Sequence, residues 1–176
     1  MNNPAGGLFI SVAEAVVVFK VTGRASFTIS ADFKRLIHEM IQRGYRRFLI
    51  DLSECLIMDS TFLGMLAGVG HRLSGKTEEA TFGTIELFRA NARVVDLLDN
   101  LGVSSMFTFI SPNDALPPCA DGAQPVAIQA SREETSRTCL EAHLTLMNIN
   151  PANVPRFKDV TKFIAEDLEK IQSQPR

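Results

Sequence analysis

Residues 46–73, RRFLIDLSECLIMDSTFLGMLAGVGHRL, decide how this chain folds. The short apolar run that starts at Phe48 ends in Asp51 and is typical of a strand that is buried on both faces. A few residues later, apolar side chains recur at helical spacing and continue to a glycine that favours helix termination. Asp59 and Ser60 therefore lie where a strand has ended and a helix begins. Because Asp, Ser and Thr all cap helices, one of these side chains is expected to accept hydrogen bonds from the first free N–H groups.

A hydroxyl in the first turn of this helix has a second potential role. A serine at such a position is expected to be exposed, and a phosphate on Ser60 would be favoured by the free N–H groups and by the positive end of the helix dipole. The phosphate would also bring roughly two negative charges beside Asp59, on whatever surface a partner touches. The position alone therefore makes Ser60 a candidate phosphorylation switch.

The motif D-L-S-x-x-x-x-M-D-S-T-x-L-G, which spans Asp51 to Gly64, resembles the signature of STAS-domain proteins, the anti-sigma-factor antagonists. The resemblance covers about residues 8–111. In that family, the hydroxyl residue directly after the aspartate is phosphorylated by a partner serine kinase that is also an anti-sigma factor. The resemblance thus implies phosphorylation of Ser60, with Thr61 as the alternative acceptor.

Two positions depart from the family pattern. The family often has glycine after the second hydroxyl residue, where this chain has Phe62. Many members carry an aspartate in the loop after the second strand, where this chain reads G-R-A-S at residues 23–26. Both positions lie near the docking surface that the resemblance implies. The residues predicted to contact a partner are Asp59, Thr61, Phe62, Arg24 and Ser26.

The apolar residues of the central helix are too widely spread for one buried face. Those that cannot all point inward on a single helix are Phe62, Leu63, Leu66 and Val69. We therefore expect Phe62 or Met65 to be exposed and available for docking. On this hypothesis, Phe62→Ala weakens a kinase complex without unfolding the domain.

Length and composition indicate an ordinary globular protein. The chain has 176 residues, of which 45% are hydrophobic and 22% are charged, which fits one domain or one domain with an appendage. A net charge of -2 gives no electrostatic argument for binding nucleic acid or an anionic membrane. No apolar run approaches the ~18 residues of a membrane span, and the N-terminus does not resemble a secretion signal. Three scattered cysteines suit a reducing cytoplasm, so a cytoplasmic bacterial regulator is expected.

Periodicity and turn residues predict further elements around the central stretch. Two strands, with a turn near residues 13–14, are followed by a helix, the central strand and helix, a strand, a third helix and a last strand. The predicted landmarks are strands Leu8–Val12 and Ala15–Val21, the latter ended by Thr22-Gly23, a helix from the cap Ser30 to Gly44, a strand Thr81–Phe88, a helix from the cap Asn91 to Gly102, and a strand Phe107–Ile110. The order ββαβαβαβ predicts an α/β fold with a mixed, mostly parallel sheet. It is similar to the STAS fold, in which helices lie mainly on one side of the sheet.

The C-terminal third is predicted to differ from the domain at residues 1–111. Residues 112–129 are rich in proline and poor in charge, which indicates a partly extended linker. Residues 130–176 are predicted to form a two-helix extension. Its first helix starts at a capping box at Ser131, a break follows at Asn150-Pro151, and Pro155 lies in the first turn of the second helix. The apolar stripes of this hairpin could be buried on each other, on the domain, or on another molecule, including a homodimer partner.

No sequence pattern supports catalysis. Phosphate-binding and dinucleotide-binding glycine motifs are absent from the sequence, as is the esterase elbow. The histidines, His38, His71 and His143, are interpreted as surface or partly buried helix residues rather than catalytic bases. Cys139 and His143 could share a helix face, but two ligands do not make a zinc site, and a packed cysteine beside an exposed histidine is expected instead. We therefore expect no enzyme activity, no cofactor and no metal.

Two functional hypotheses remain. A third, that the protein is a small enzyme, is remote because no nucleophile, base and orienting group can be named. The resemblance implies an anti-sigma-factor antagonist that binds a serine kinase/anti-sigma factor while Ser60 is unphosphorylated and thereby regulates transcription. A PP2C-type phosphatase would restore that form. The alternative is a non-switching STAS scaffold subunit of a larger signalling assembly, with the C-terminal hairpin as its oligomerisation element.

Overall fold

The computed structural model describes residues 5–75, 82–111, 113–114 and 122–173, which form a mixed sheet with helices packed on it. The strands are β1 (Gly7–Ala13), β2 (Val16–Ala25), β3 (Arg47–Met58), β4 (Thr84–Phe88), β5 (Thr108–Ile110) and β6 (Gln124–Pro125). The helices are α1 (Phe27–Gln42), α2 (Ser60–Leu73), α3 (Ala92–Leu101), α4 (Arg132–Ile149) and α5 (Val154–Ser173). The predicted order ββαβαβαβ is confirmed as far as β5.

The strand order across the sheet is β5-β4-β3-β2-β1-β6. The pairs β2–β3, β3–β4 and β4–β5 are parallel, whereas the hairpin β1–β2 and the short β1–β6 pair are antiparallel. The hairpin turn passes through Glu14, whose φ of 52° places it in the left-handed region. Because β2 and β3 are parallel, their carboxyl ends meet at one edge, where Ala25 lies opposite Met58.

Alternate residues of the inner strands face two different apolar clusters. Val17 and Phe19 of β2 belong to the large core that also contains residues from α1, α2 and α3. Val16 and Val18 face the opposite side, where they meet a small cluster with Leu49 and Phe88. This alternation agrees with the period of two along a strand, and it places the helices mainly on one side of the sheet, as predicted.

The C-terminal helices form a second layer. Helix α4 packs against α1 and α2, and α5 packs against α4. The predicted capping box is confirmed, because the Ser131 side chain accepts from the Glu134 N–H and the Glu134 side chain accepts from the Ser131 N–H. The break at Asn150-Pro151 and the place of Pro155 in the first turn of α5 are confirmed as well.

Several predicted boundaries differ from the structure. Strand β2 continues through Gly23 to Ala25, and β3 continues past Asp51 to Met58, because the two strands stay paired beyond the positions where the sequence suggested an end. Helix α1 consequently starts earlier, at Phe27. Its cap residue is Ser26, while the predicted cap, Ser30, lies inside the helix, fully buried, with its hydroxyl donating to the Ser26 carbonyl oxygen.

Some expectations fall partly outside the described residues. Thr81, the predicted start of the fourth strand, and Cys119 both lie outside the described residues. Cys55 and Cys139 are free thiols. Within the predicted linker, Gln124–Pro125 adds a two-residue strand to the sheet edge at β1. The division into a domain, a linker and an extension stays a prediction. Among the helices in the described ranges, none is both long and apolar enough to cross a membrane.

Candidate functional site

Asp59 lies at the edge of the sheet where β2 and β3 end, and its carboxylate accepts hydrogen bonds from two helices. One carboxylate oxygen accepts from the N–H of Phe62, at 2.9 Å, and so caps α2. The other accepts from the N–H of Phe27, at 2.9 Å, and holds the first residue of α1. The sequence predicted that Asp59, Ser60 or Thr61 would cap the helix, and the structure assigns that role to Asp59.

Ser60 follows directly and is the first residue of α2. Its side chain is half-buried, and its Oγ lies 3.0 Å from Nε2 of His143 on α4. The other ring nitrogen, Nδ1, lies 2.8 Å from the carbonyl oxygen of Cys139, which can only accept a hydrogen bond. Nδ1 therefore carries a proton, and in the neutral ring Nε2 accepts the hydrogen bond that the Ser60 hydroxyl donates.

This arrangement corrects two expectations. Ser60 is not fully exposed, because α4 covers one side of its hydroxyl. His143 is not an exposed neighbour of a packed cysteine: its side chain is buried, it bonds to Ser60, and its ring lies 4.9 Å from the ring of Phe157. Both differences have one cause, namely that α4 packs on α2.

Thr61 is also covered by α4. Its side chain is buried, and Oγ1 lies 3.1 Å from Sγ of Cys139. Burial raises the pKa of the Cys139 thiol, so the thiol stays protonated and can take part in a neutral hydrogen bond with Thr61. Cys139 and His143, four residues apart, thus contact two successive residues at the start of α2.

The expectation that Phe62 or Met65 is exposed is wrong. Phe62 is fully buried, and its ring lies 5.1 Å from that of Phe33 in an edge-to-face arrangement, while Met65 is 5% exposed. Helix α2 has the sheet and α1 on one side and α4 on the other, so it has more than one buried face. Phe62 therefore belongs to the core, and the argument for Phe62 as a surface contact is lost.

The remaining predicted contact residues lie at the same edge of the sheet. Arg24 is exposed and pairs in register with Ile57 near the end of β3. Ser26 is buried at the start of α1, with its Oγ 2.8 Å from Oγ1 of Thr28. The fold therefore brings Arg24 and Ser26 to the edge that holds Asp59, although their contact with a partner stays a prediction.

Sequence reasoning missed the pairing of Cys139 and His143 with the start of α2. The spacing of four residues indicated a shared helix face, but nothing in the pattern indicated which surface that face would meet. In the described part of the chain, no three potential metal ligands come together.

Comparisons with known proteins agree with this architecture. The model of the STAS domain family matches residues 10–115. The unphosphorylated form of the Bacillus anti-sigma factor antagonist SpoIIAA has a TM-score of 0.51 and 15% identity, over 60% of this chain and 89% of that one. A candidate anti-sigma factor antagonist from Thermotoga maritima has a TM-score of 0.50 and 18% identity, over 59% of this chain and 86% of that one. No curated protein matches the chain.

Proposed function

This chain belongs to the STAS domain family, and from that premise we propose that it is an anti-sigma-factor antagonist switched by phosphorylation of Ser60. With Ser60 unphosphorylated, the protein binds a serine kinase that is also an anti-sigma factor, and a sigma factor is released. Phosphorylation by that kinase weakens the complex, and a PP2C-type phosphatase restores binding. The protein acts in the cytoplasm and has no catalytic activity of its own.

The observation that carries this proposal is the position of Ser60 beside Asp59 at the start of α2. Asp59 caps α2 and also accepts a hydrogen bond from the N–H of Phe27 in α1, so its carboxylate is fixed next to the serine. The helix terminus tolerates a phosphate because free N–H groups and the helix dipole favour negative charge there. A docked partner would instead meet roughly two added charges and the bulk of the phosphate beside an existing carboxylate.

The experiment is a phosphorylation assay with the serine kinases of the source organism and ATP. Intact-mass measurement should show one added phosphate on the wild type and none on Ser60→Ala. The matched control is Ser53→Ala, which removes another exposed serine of the same motif and should keep the phosphate. A phosphate that persists on Ser60→Ala would move the switch to Thr61 or elsewhere.

A non-switching scaffold subunit is the second candidate. The observation that favours it is the contact of Ser60 with His143, because a covered serine is less available to a kinase. A pull-down with the wild type and with Ser60→Asp separates the two candidates. A switched antagonist loses its partner when the negative charge is present, whereas a scaffold retains the same partners with both proteins.

A further inference from the structure

Helix α4 occupies the face of α2 that begins at the switch residue. The contacts run from Ser60 with His143, through Thr61 with Cys139, to Gly64 with Ala142. We propose that the α4–α5 hairpin is an intramolecular cover of this face, and that a kinase reaches Ser60 only after the hairpin has moved away. This inference rests on the proposed function and adds its regulation.

The two helices approach each other closely at Gly64. A Cβ atom built there would lie 2.5 Å from the carbonyl oxygen of Ala142 and 2.9 Å from its carbonyl carbon. Those are backbone atoms, which a rotamer change cannot move away. The helices therefore touch without side chains between them, and a partner that contacts this part of α2 must take the place of α4.

The contacts at the start of α2 are of a kind that can be exchanged. Ser60–His143 and Thr61–Cys139 are hydrogen bonds made by the uncharged hydroxyl groups of α2, which water or a partner can replace with little net loss. The ion pair between Lys34 of α1 and Glu141 of α4 lies at the surface, where such a pair contributes little to stability.

The ends of the hairpin are held in different ways. At the end where the chain enters α4, the backbone N–H groups of Gln129 and Ala130 donate to the buried carboxylate of Asp32, at 3.1–3.3 Å. At the far end, the buried amide of Asn153 donates to the carbonyl oxygen of Leu101, at 3.0 Å, and so ties the turn before α5 to the end of α3. The end at Gln129 and Ala130, where the chain enters α4, acts as the hinge of the hairpin. The contact of Asn153 with Leu101 acts as the latch that holds the hairpin closed.

A matched pair of glycine substitutions tests the cover. Gly64→Ala forces α4 away from α2, whereas a Cβ at Gly68 would lie 3.5 Å from the side chain of Thr145, an ordinary contact. Both substitutions favour the helix equally by propensity. With limiting kinase, Gly64→Ala should raise the initial rate of Ser60 phosphorylation by about tenfold or more, because that rate scales with the fraction of open molecules. Gly68→Ala should stay near the wild-type rate.

A reversible lock tests the same claim in the opposite direction. Thr61 Oγ1 lies 3.1 Å from Cys139 Sγ, so Thr61→Cys places a second sulfur within a small shift of disulfide distance. Oxidised T61C should lose Ser60 phosphorylation, and reduction of the same sample should restore it. The wild type, treated with the same oxidant, should show no change. This arm decides the matter even if Gly64→Ala fails to fold.

The outcomes separate the inference from the function on which it rests. Equal phosphorylation rates in wild type, Gly64→Ala and oxidised T61C would overturn the cover and leave the Ser60 switch intact. If Ser60 accepted no phosphate in any variant, including a folded Gly64→Ala, both proposals would be overturned. A faster Gly64→Ala together with a blocked oxidised T61C supports both.

Discussion

Helix α2 presents two faces of different chemistry, one against the sheet and α1 and the other against α4. The first buries large apolar side chains, among them Phe62 and Leu66, both fully inaccessible. The second begins with Ser60 and Thr61, whose hydroxyl groups form hydrogen bonds with α4, and continues with Gly64, which allows close backbone contact. One face of α2 is therefore permanent core. The other has the chemistry that the proposed replacement of α4 by a partner requires.

The largest expected effect comes from removing a core side chain of the first face. Phe62→Ala deletes a fully buried ring packed against Phe33 and should lower the free energy of unfolding by about 3–5 kcal/mol. Phe163→Ala is the matched control, since that ring is 68% exposed on α5 and its loss should change stability little. Denaturant midpoints measure both. A stable Phe62→Ala that loses only its partner would show that Phe62 belongs to the exchangeable face.

A smaller effect is expected at the latch of the hairpin. Asn153→Ala removes the amide that donates to the carbonyl oxygens of Leu101 and Leu146, and leaves each oxygen with the hydrogen bond that Asn150 donates. Loss of the bond to Leu101 should weaken the docking of the hairpin by about 0.5–1.5 kcal/mol, the net contribution of one hydrogen bond. The rate at which maleimide alkylates Cys139 in the folded protein measures the opening, because the thiol is partly buried against Thr61.

The control for the latch is Asn148→Ala, which removes an exposed amide near the end of α4 and should leave the alkylation rate unchanged. Peptide mass spectrometry distinguishes Cys139 from the other cysteines. An Asn153→Ala protein alkylated no faster than Asn148→Ala would contradict the assignment of the latch.

The smallest expected effect concerns how the free energy of unfolding depends on pH through His38, which lies near α4. Burial, followed by the charges of Arg72 and Lys34, lowers the pKa of His38 below its usual 6.5, while Glu141 on α4 acts in the opposite direction. As pH falls below 6.5, the unfolded chain binds a proton at this position before the folded chain does, so stability decreases until the lowered pKa is passed. His38→Gln should therefore flatten stability against pH in that window. An NMR titration in which His38 protonates at or above pH 6.5 would contradict this prediction.

The fold could be predicted from the sequence where the decisive interactions are local. The hairpin of β1 and β2, the caps at Asn91 and Ser131, and the αL glycine at Gly102 follow from residues within a few positions of one another. The cap of α1 was missed because it depends on how far β2 stays paired with β3, which is a property of the sheet rather than of the local sequence.

The candidate site could be predicted only in part. The placement of Asp59 and Ser60 at the start of α2 follows from the change of periodicity in one continuous stretch. The contact of Ser60 with His143 joins residues 83 positions apart, and no local pattern reports such a pairing. The packing of α4 on α2 was not predicted either. A single buried face was therefore assumed for α2, and Phe62 or Met65 was expected at the surface.

Helix α4 and a partner are expected to bind the same face of α2 alternately. Hydrogen exchange of α4 tests this most directly, measured with and without the kinase that the pull-down identifies. Addition of the kinase to the unphosphorylated wild type should speed exchange of the backbone amides in α4 and leave those of β2 and β3 unchanged. Exchange in α4 that is slowed or unaltered by the bound kinase would contradict the account, because the hairpin would then remain docked while the partner binds.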